Sequence, residues 1–256
     1  MNRIRIIVFL FLGGLQAQIQ TLDQIQEKVM NQFDQINDYR VDIKISVKMT
    51  GFRMPRKKIR LYYKKPGKIK IDADGFAILP KTGVGGNPKE YFEMFETVMN
   101  ISEVEFDGLS YYKITGIVNQ DSLKIPVSID ESDSLKIKMD VLIDPNQWTI
   151  NQVDVSLNAK NVFIFKTIYT EIDGIYVPEK SEFRLGIKGI SKWRTKNPHS
   201  FGGPSDGTLD FESIAKKAGY DSEKDEFAGT ISMNFYKYKL NKGLKDKNSG
   251  HDVGFF

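Results

Sequence analysis

The side chains that most often do chemistry are scarce in this sequence. Histidine occurs twice, at His199 and His251, each in loop-like, glycine-rich surroundings, and cysteine does not occur at all. There is no HExxH, no histidine-rich ligand set and no serine embedded in GxSxG, so neither a zinc centre nor an activated hydroxyl nucleophile is indicated. Two carboxylates would suffice for general acid and base work. Glu103 and Glu105, or Asp130, Glu131 and Asp133, lie in loops or on strand faces, where solvated charge is the simpler reading and nothing selects a pair. The glycines of GVGGNP, within Pro80 to Asn100, lack both the Gly-Lys-Ser/Thr ending of a phosphate loop and the GxGxxG spacing. The chain therefore reads as non-catalytic, without a cofactor or metal.

One stretch suggests binding instead. From Arg60 to Asp72, RLYYKKPGKIKID gathers five cations beside two tyrosines. Its period is two: Ile59, Leu61 and Tyr63 face one way, while Arg60, Tyr62 and Lys64 face the other. After a Pro66-Gly67 turn, Ile69, Ile71 and Ala73 alternate with Lys68, Lys70 and Asp72. The cations thus lie on the wet side of a hairpin. Nucleic-acid binding requires a basic excess gathered on one face, and no nucleic-acid partner is expected here.

The whole chain supports that exclusion. It has 256 residues, 40% hydrophobic and 27% charged, with 37 basic and 33 acidic side chains. The start, MNRIRIIVFLFLGGLQAQIQ, has Arg3 and Arg5, an apolar run from Ile6 to Leu15 and small or polar residues around Ala17. These are the three parts of a secretory signal, and the run is short for a bilayer span. Cleavage after Ala17 removes residues 1–17 with Arg3 and Arg5, leaving 35 basic against 33 acidic side chains, a net of +2. Without cysteine there is no disulfide framework and no residue on which a lipoprotein anchor could be built. The expectation is an exported, soluble, periplasmic protein whose residues 18–256 form one domain.

The elements follow from periodicity. In TLDQIQEKVMNQFDQIND, Leu22, Ile25, Val29, Phe33 and Ile36 make one helical stripe, and Thr21 with Gln24 has capping-box spacing. In RVDIKISVKMT, Val41, Ile43, Ile45, Val47 and Met49 alternate with polar residues as in a half-buried strand. Asp74-Gly75, Asp107-Gly108 and Asp173-Gly174 each separate apolar or alternating runs as hairpin turns do. Further strands are expected in LKIKMDVLID, TINQVDVSL, VFIFKTIYT, KSEFRLGI and GTISMNFYKYKL. The sum is an antiparallel meander.

Two segments interrupt it. In PKTGVGGNPKEYFEMFETVMN, a glycine-rich loop leads to Asn87 as a helix cap, Pro88 at the first turn and Glu90 three residues after the cap. The expected short helix carries Tyr91, Phe92, Met94, Phe95, Val98 and Met99, more apolar surface than one stripe, so part of it could face a cavity as well as the sheet. The second interruption, about residues 189–229, is rich in Gly, Pro and Ser, with one small helix expected from Phe211 to Ala218. Loops of that length are usually lids or flexible insertions.

INDYRVDI, YYKKPGKIKID, DGFAILP, VLIDPNQWTINQVDV, DGIYVPEKSEF and the closing YKLNKGL stand in an order that resembles the outer-membrane lipoprotein carrier family, the LolA-like periplasmic superfamily. The resemblance covers most of residues 21–185 and about 230–244. It implies a mainly β fold: an antiparallel sheet curled into an incomplete, half-open barrel, with an N-terminal helix and a short lid helix over an apolar cavity. It also implies a carrier for the acyl chains of lipoproteins or other lipids, with an inner-membrane donor and an outer-membrane acceptor as partners. On that reading the cavity and lid residues are Ile43, Ile45, Leu61, Tyr63, Ile69, Ile71, Tyr91, Phe92, Phe95 and Met99. The alternative is an envelope interaction or stress-sensing protein of the same fold with a filled core. Carriers of the family commonly have arginine before the hairpin proline. Here Lys65 takes that place as the candidate lid latch, offering one compact ammonium where arginine would offer a fork.

Overall fold

The computed structural model describes residues 20–49, 52–53, 56–73, 87–119, 137–157, 160–188 and 226–244. The export segment, the Asp74-Gly75 turn, the glycine-rich loop, the carboxylates near residue 130, both histidines and residues 189–225 lie outside the described residues.

The first helix, α1 (Leu22–Phe33), starts where the capping box places it. The Thr21 hydroxyl accepts from the Gln24 N–H at 3.3 Å, and the Gln24 side chain accepts from the Thr21 N–H at 2.9 Å. Two otherwise orphaned amide donors are thereby matched. Ile25 and Val29 are the residues the helix buries completely, the centre of the expected stripe.

Among the described residues, eleven strands follow in one antiparallel sheet: β1 (Asp38–Met49), β2 (Phe52–Arg53), β3 (Lys57–Lys64), β4 (Lys68–Ala73), then a second helix α2 (Lys89–Glu93), β5 (Phe95–Phe106), β6 (Leu109–Val118), β7 (Ile137–Asp144), β8 (Thr149–Leu157), β9 (Lys160–Ile172), β10 (Ile175–Lys188) and β11 (Glu226–Leu240). Their order is β4-β3-β1-β11-β10-β9-β8-β7-β6-β5, with β2 paired to β1 off that path. The first and last long strands are neighbours, so two meanders are joined along β1 and β11. At Asp107-Gly108 and Asp173-Gly174 both residues have positive φ, 52° and 76° in the first and 52° and 79° in the second. This is the backbone that two-residue hairpins need and that Asp-Gly tolerates.

Among the described residues the end strands β4 and β5 pair with nothing further, so the sheet is open. It is nevertheless curled around α1. Phe33 meets the Tyr63 ring on β3 edge-on at 5.7 Å, while Lys28 lies 4.3 Å over the Trp148 ring just before β8. Five strand spacings of about 4.8 Å would put β3 and β8 about 24 Å apart on a flat sheet. Lys28 and Phe33 are only about 7.5 Å apart along the helix axis. Only a wrapped sheet brings both strands to one short helix. Its concave face holds the core, with Val41, Ile43, Ile45, Leu61, Ile114, Met139, Val141, Ile143 and Met233 essentially fully buried. Truncating one such side chain to alanine costs about 2–5 kcal/mol.

The segment after Asn87 departs from expectation. The helix is five residues long, and Phe95 to Met99 belong to β5. The pairing explains the misleading period. Phe95, Val98 and Ile101 face Val118, Gly116 and Ile114 of β6, and the register slips between Phe95 and Thr97 and again between Val98 and Asn100. Each slip inserts one residue, so inward-facing positions recur every three residues instead of every two. A doubly bulged strand thus imitates the spacing of a helix. Asn87 still serves the helix start, its side-chain oxygen accepting from the Lys89 N–H at 2.9 Å, although Pro88 occupies the cap position.

Candidate functional site

The two helices and the concave side of β8 to β11 enclose a cavity of about 80 Å³. From α1 come Val29, Gln32 and Phe33, with Ile36 just after it; Tyr39 stands on β1, and Pro88 and Tyr91 hang from α2. The opposite wall is Trp148 with Thr149 and Ile150, then Phe165, Thr167 and Tyr169 of β9, Tyr176, Val177 and Pro178 of β10, and Tyr238 of β11. The β9 residues are there because an antiparallel strand sends alternate side chains to one face. Trp148 is aimed by its backbone: at φ 53° it ends the turn after β7, and its ring stacks on Tyr112 at 5.8 Å.

The polar atoms of this lining are mostly used to hold the walls. The Tyr169 hydroxyl donates to the Ile150 carbonyl at 3.0 Å and the Tyr238 hydroxyl to the Pro178 carbonyl at 2.7 Å. Thr167 and Ser181 share a hydrogen bond of 3.0 Å. Burial drives the hydroxyls of Tyr39, Tyr91, Tyr169 and Tyr238 far above the ordinary phenol value, with neighbouring tyrosines adding to the effect at Tyr39, Tyr91 and Tyr238. They remain neutral at any physiological pH and offer no phenolate for base or nucleophilic chemistry. Aromatic residues make up about half of the lining.

Of the residues expected to line a cavity, Tyr91 does so. Ile43, Ile45, Leu61 and Tyr63 are buried in the packed core on β1 and β3, and Tyr63 stacks on Tyr39 at 5.2 Å, one layer behind the lining. Ile69 and Ile71 are half-buried on β4, opposite Tyr63 and Leu61. Phe92 is buried without reaching the cavity, and Phe95 lies on β5 against Gly116. Met99, the residue at the second register slip, is 61% exposed. Lys65 does act as a tie, but on α1: its ammonium donates to the Asp34 carbonyl at 2.6 Å and pairs with the Asp34 carboxylate at 3.0 Å. A cation at a helix C-terminus is favoured by the helix dipole, and α1 has no basic residue in its own last turn. The wall residues Trp148, Phe165, Tyr169, Tyr176 and Tyr238 escaped the sequence reading. Their one local signal is the pair of tyrosines, Tyr169 and Tyr176, bracketing the Asp173-Gly174 turn.

Glu103 and Glu105 are exposed on β5. Among the described residues no three His, Asp or Glu side chains gather as metal ligands, and no helix is long and apolar enough to cross a membrane.

No protein-family model matches the sequence, and comparison with curated proteins gives no match. Solved structures do match. A DUF1329 family protein from Desulfovibrio piger aligns over 88% of this chain and 95% of its own, with a TM-score of 0.50 and 11% identity. A putative outer membrane lipoprotein-sorting protein domain from Vibrio parahaemolyticus aligns over 88% and 94%, with a TM-score of 0.50 and 8% identity. The chain has a LolA-like fold. A LolA superfamily protein from Nitrosomonas europaea aligns over 86% and 95% at 10% identity and a TM-score of 0.43. In this fold the cavity sits between the helices and the concave sheet, and identities this low speak to fold alone.

Proposed function

We propose that the protein is an exported, non-catalytic carrier that shelters an acyl chain of a lipoprotein or lipid against the concave face of its sheet for delivery to the outer membrane. The observation that carries this reading is the aromatic cavity under α1 and α2. The lipoprotein-sorting description of the Vibrio parahaemolyticus domain supports it. At about 80 Å³ the space is smaller than the roughly 300–1,000 Å³ of ordinary ligand sites, so loading a full chain requires a helix to move away. The short α2, which contributes only Pro88 and Tyr91 to the lining, is the element whose displacement disturbs least. Residues 1–17 direct export to the periplasm, 18–256 form the carrier domain with its insertion at about 189–229, and donor and acceptor proteins sit in the inner and outer membranes. N-terminal mass mapping of periplasmic material would then find Gln18 first.

The test is equilibrium binding of a fluorescent acyl probe. Wild type binds saturably, and Tyr91→Asp, which sets a charge against the apolar space, weakens binding at least tenfold while circular dichroism shows the sheet retained. No saturable binding by wild type, or an unchanged affinity in the variant, overturns the proposal. The filled core at Ile43, Ile45 and Leu61 favours, as a second reading, an envelope interaction protein. That protein would bind no acyl probe.

A further inference from the structure

Among the described residues, two donors on α1 stand beside the cavity without an acceptor. Gln32 lines it, yet its Nε2 is buried and makes no hydrogen bond, while its Oε1 already accepts from Gln35 at 2.9 Å. A buried N–H left unmatched is destabilising and uncommon, so such a group points to an acceptor that arrives from outside. One helical turn earlier, Lys28 holds its ammonium 4.3 Å over the ring of Trp148, itself a lining residue. Residues four apart share a helix face. Among the described residues no carboxylate pairs with Lys28; Asp34, at the end of the same helix, is engaged by Lys65.

An amide donor and an ammonium on one face, at the edge of an aromatic space, form a receptor for an anionic oxygen group attached to an apolar body. The indole face holds the ammonium where it meets that group, since a cation over an aromatic ring is attracted by its quadrupole. A charge-assisted hydrogen bond is strong where the surroundings exclude water. A neutral ester or alcohol would leave the half-exposed ammonium paired with water alone.

We infer that the cargo is an anionic amphiphile, a hydrocarbon tail ending in a carboxylate, with the tail in the aromatic cavity and the carboxylate received by Lys28 and Gln32. This rests on the carrier reading and narrows its cargo to a free acid, since the ester- and amide-linked chains of a lipoprotein carry no carboxylate. The geometry separates the two parts of such a molecule: the rings select an apolar body of any headgroup, and the α1 donors select the acid.

The experiment compares a fluorescent long-chain fatty acid with its methyl ester on the full chain, using wild type, Lys28→Met, Lys28→Arg and Gln32→Met. Wild type binds the acid at least tenfold more tightly than the ester. Lys28→Met weakens acid binding about tenfold and changes ester binding less than twofold, Gln32→Met lowers acid affinity in the same direction, and Lys28→Arg retains the preference for the acid. Melting temperatures within a few degrees of wild type show that the fold is kept; if Lys28→Met falls outside that range, Lys28→Gln takes its place. Equal affinity of wild type for acid and ester, or an acid preference untouched by Lys28→Met and Gln32→Met, overturns the inference while leaving the carrier reading standing. If wild type binds neither probe, both fall.

Discussion

Gly116 on β6 offers a substitution whose sign separates packing from backbone propensity. A Cβ there would lie 2.5 Å from the Phe95 ring and 2.5 Å from the Thr97 carbonyl oxygen. The first contact could be eased by turning a ring, but the second is to the backbone of the neighbouring strand, so β5 would have to move. Glycine in a strand interior is otherwise about 0.5–1 kcal/mol worse than alanine, and an open site would gain that amount. Forcing atoms into a packed site costs about 1–3 kcal/mol, and a strand held in register by ten residue pairs places this site toward the upper end. Gly116→Ala should therefore destabilise by about 2 kcal/mol net, lowering the melting temperature by about 4–8 °C for a domain of this size. Phe95→Ala in the same chain should recover only part of the interaction, because the carbonyl contact persists. Thermal unfolding followed by circular dichroism on wild type, both single variants and the double variant completes the cycle. A melting temperature for Gly116→Ala equal to or above wild type would refute the doubly slipped register of β5.

Lys65→Met removes both bonds that tie the β3–β4 hairpin to the end of α1; with both partners partly exposed, the loss should be about 0.5–1 kcal/mol. Hydrogen exchange at the Asp34 and Ile36 amides should accelerate, and an unchanged rate would show that the tie does not hold the helix. Asp42 accepts from Arg60 at 2.7 Å, and that hydrogen bond, outweighing desolvation, sets its carboxyl below the usual carboxylate value. Its contribution is complete above the ordinary range near pH 4 and vanishes as pH falls through the lower folded value. Asp42→Asn should therefore be less stable than wild type by under about 1 kcal/mol at pH 7 and converge with it in acid; a gap that persists or widens at low pH would contradict this linkage.

How far the sequence carries depends on the range of the interactions. The capping box of α1 spans Thr21 to Gln24, the alternation of β1 runs through consecutive residues, and the Asp-Gly turns are dipeptides, so each is complete within a short window. The long β5 was not legible because two inserted residues converted its period to three. The cavity was not legible for a different reason. Its lining is assembled from Val29, Tyr39, Tyr91, Trp148, Tyr169 and Tyr238, a set that no local pattern relates. The partner of Lys65 belongs to the same class, since Asp34 lies 31 positions earlier and meets it only when α1 lies across the hairpin.

The pairing of β1 with β11 also sets an order of events in time. Tyr39 faces Leu240 and Ile45 faces Met233, and Asn241 fastens the junction, its side-chain oxygen accepting from the Asn37 N–H at 2.7 Å and its amide donating to the Gln35 carbonyl at 2.8 Å. Because β1 is made before β11, a nascent chain holds β1 with one side unmatched until β11 follows. Contacts of such separation form slowly, and an unmatched strand side is an invitation to aggregation. A sheet whose β1–β11 seam waits for the later strand becomes resistant to proteolysis only once β11 has been made.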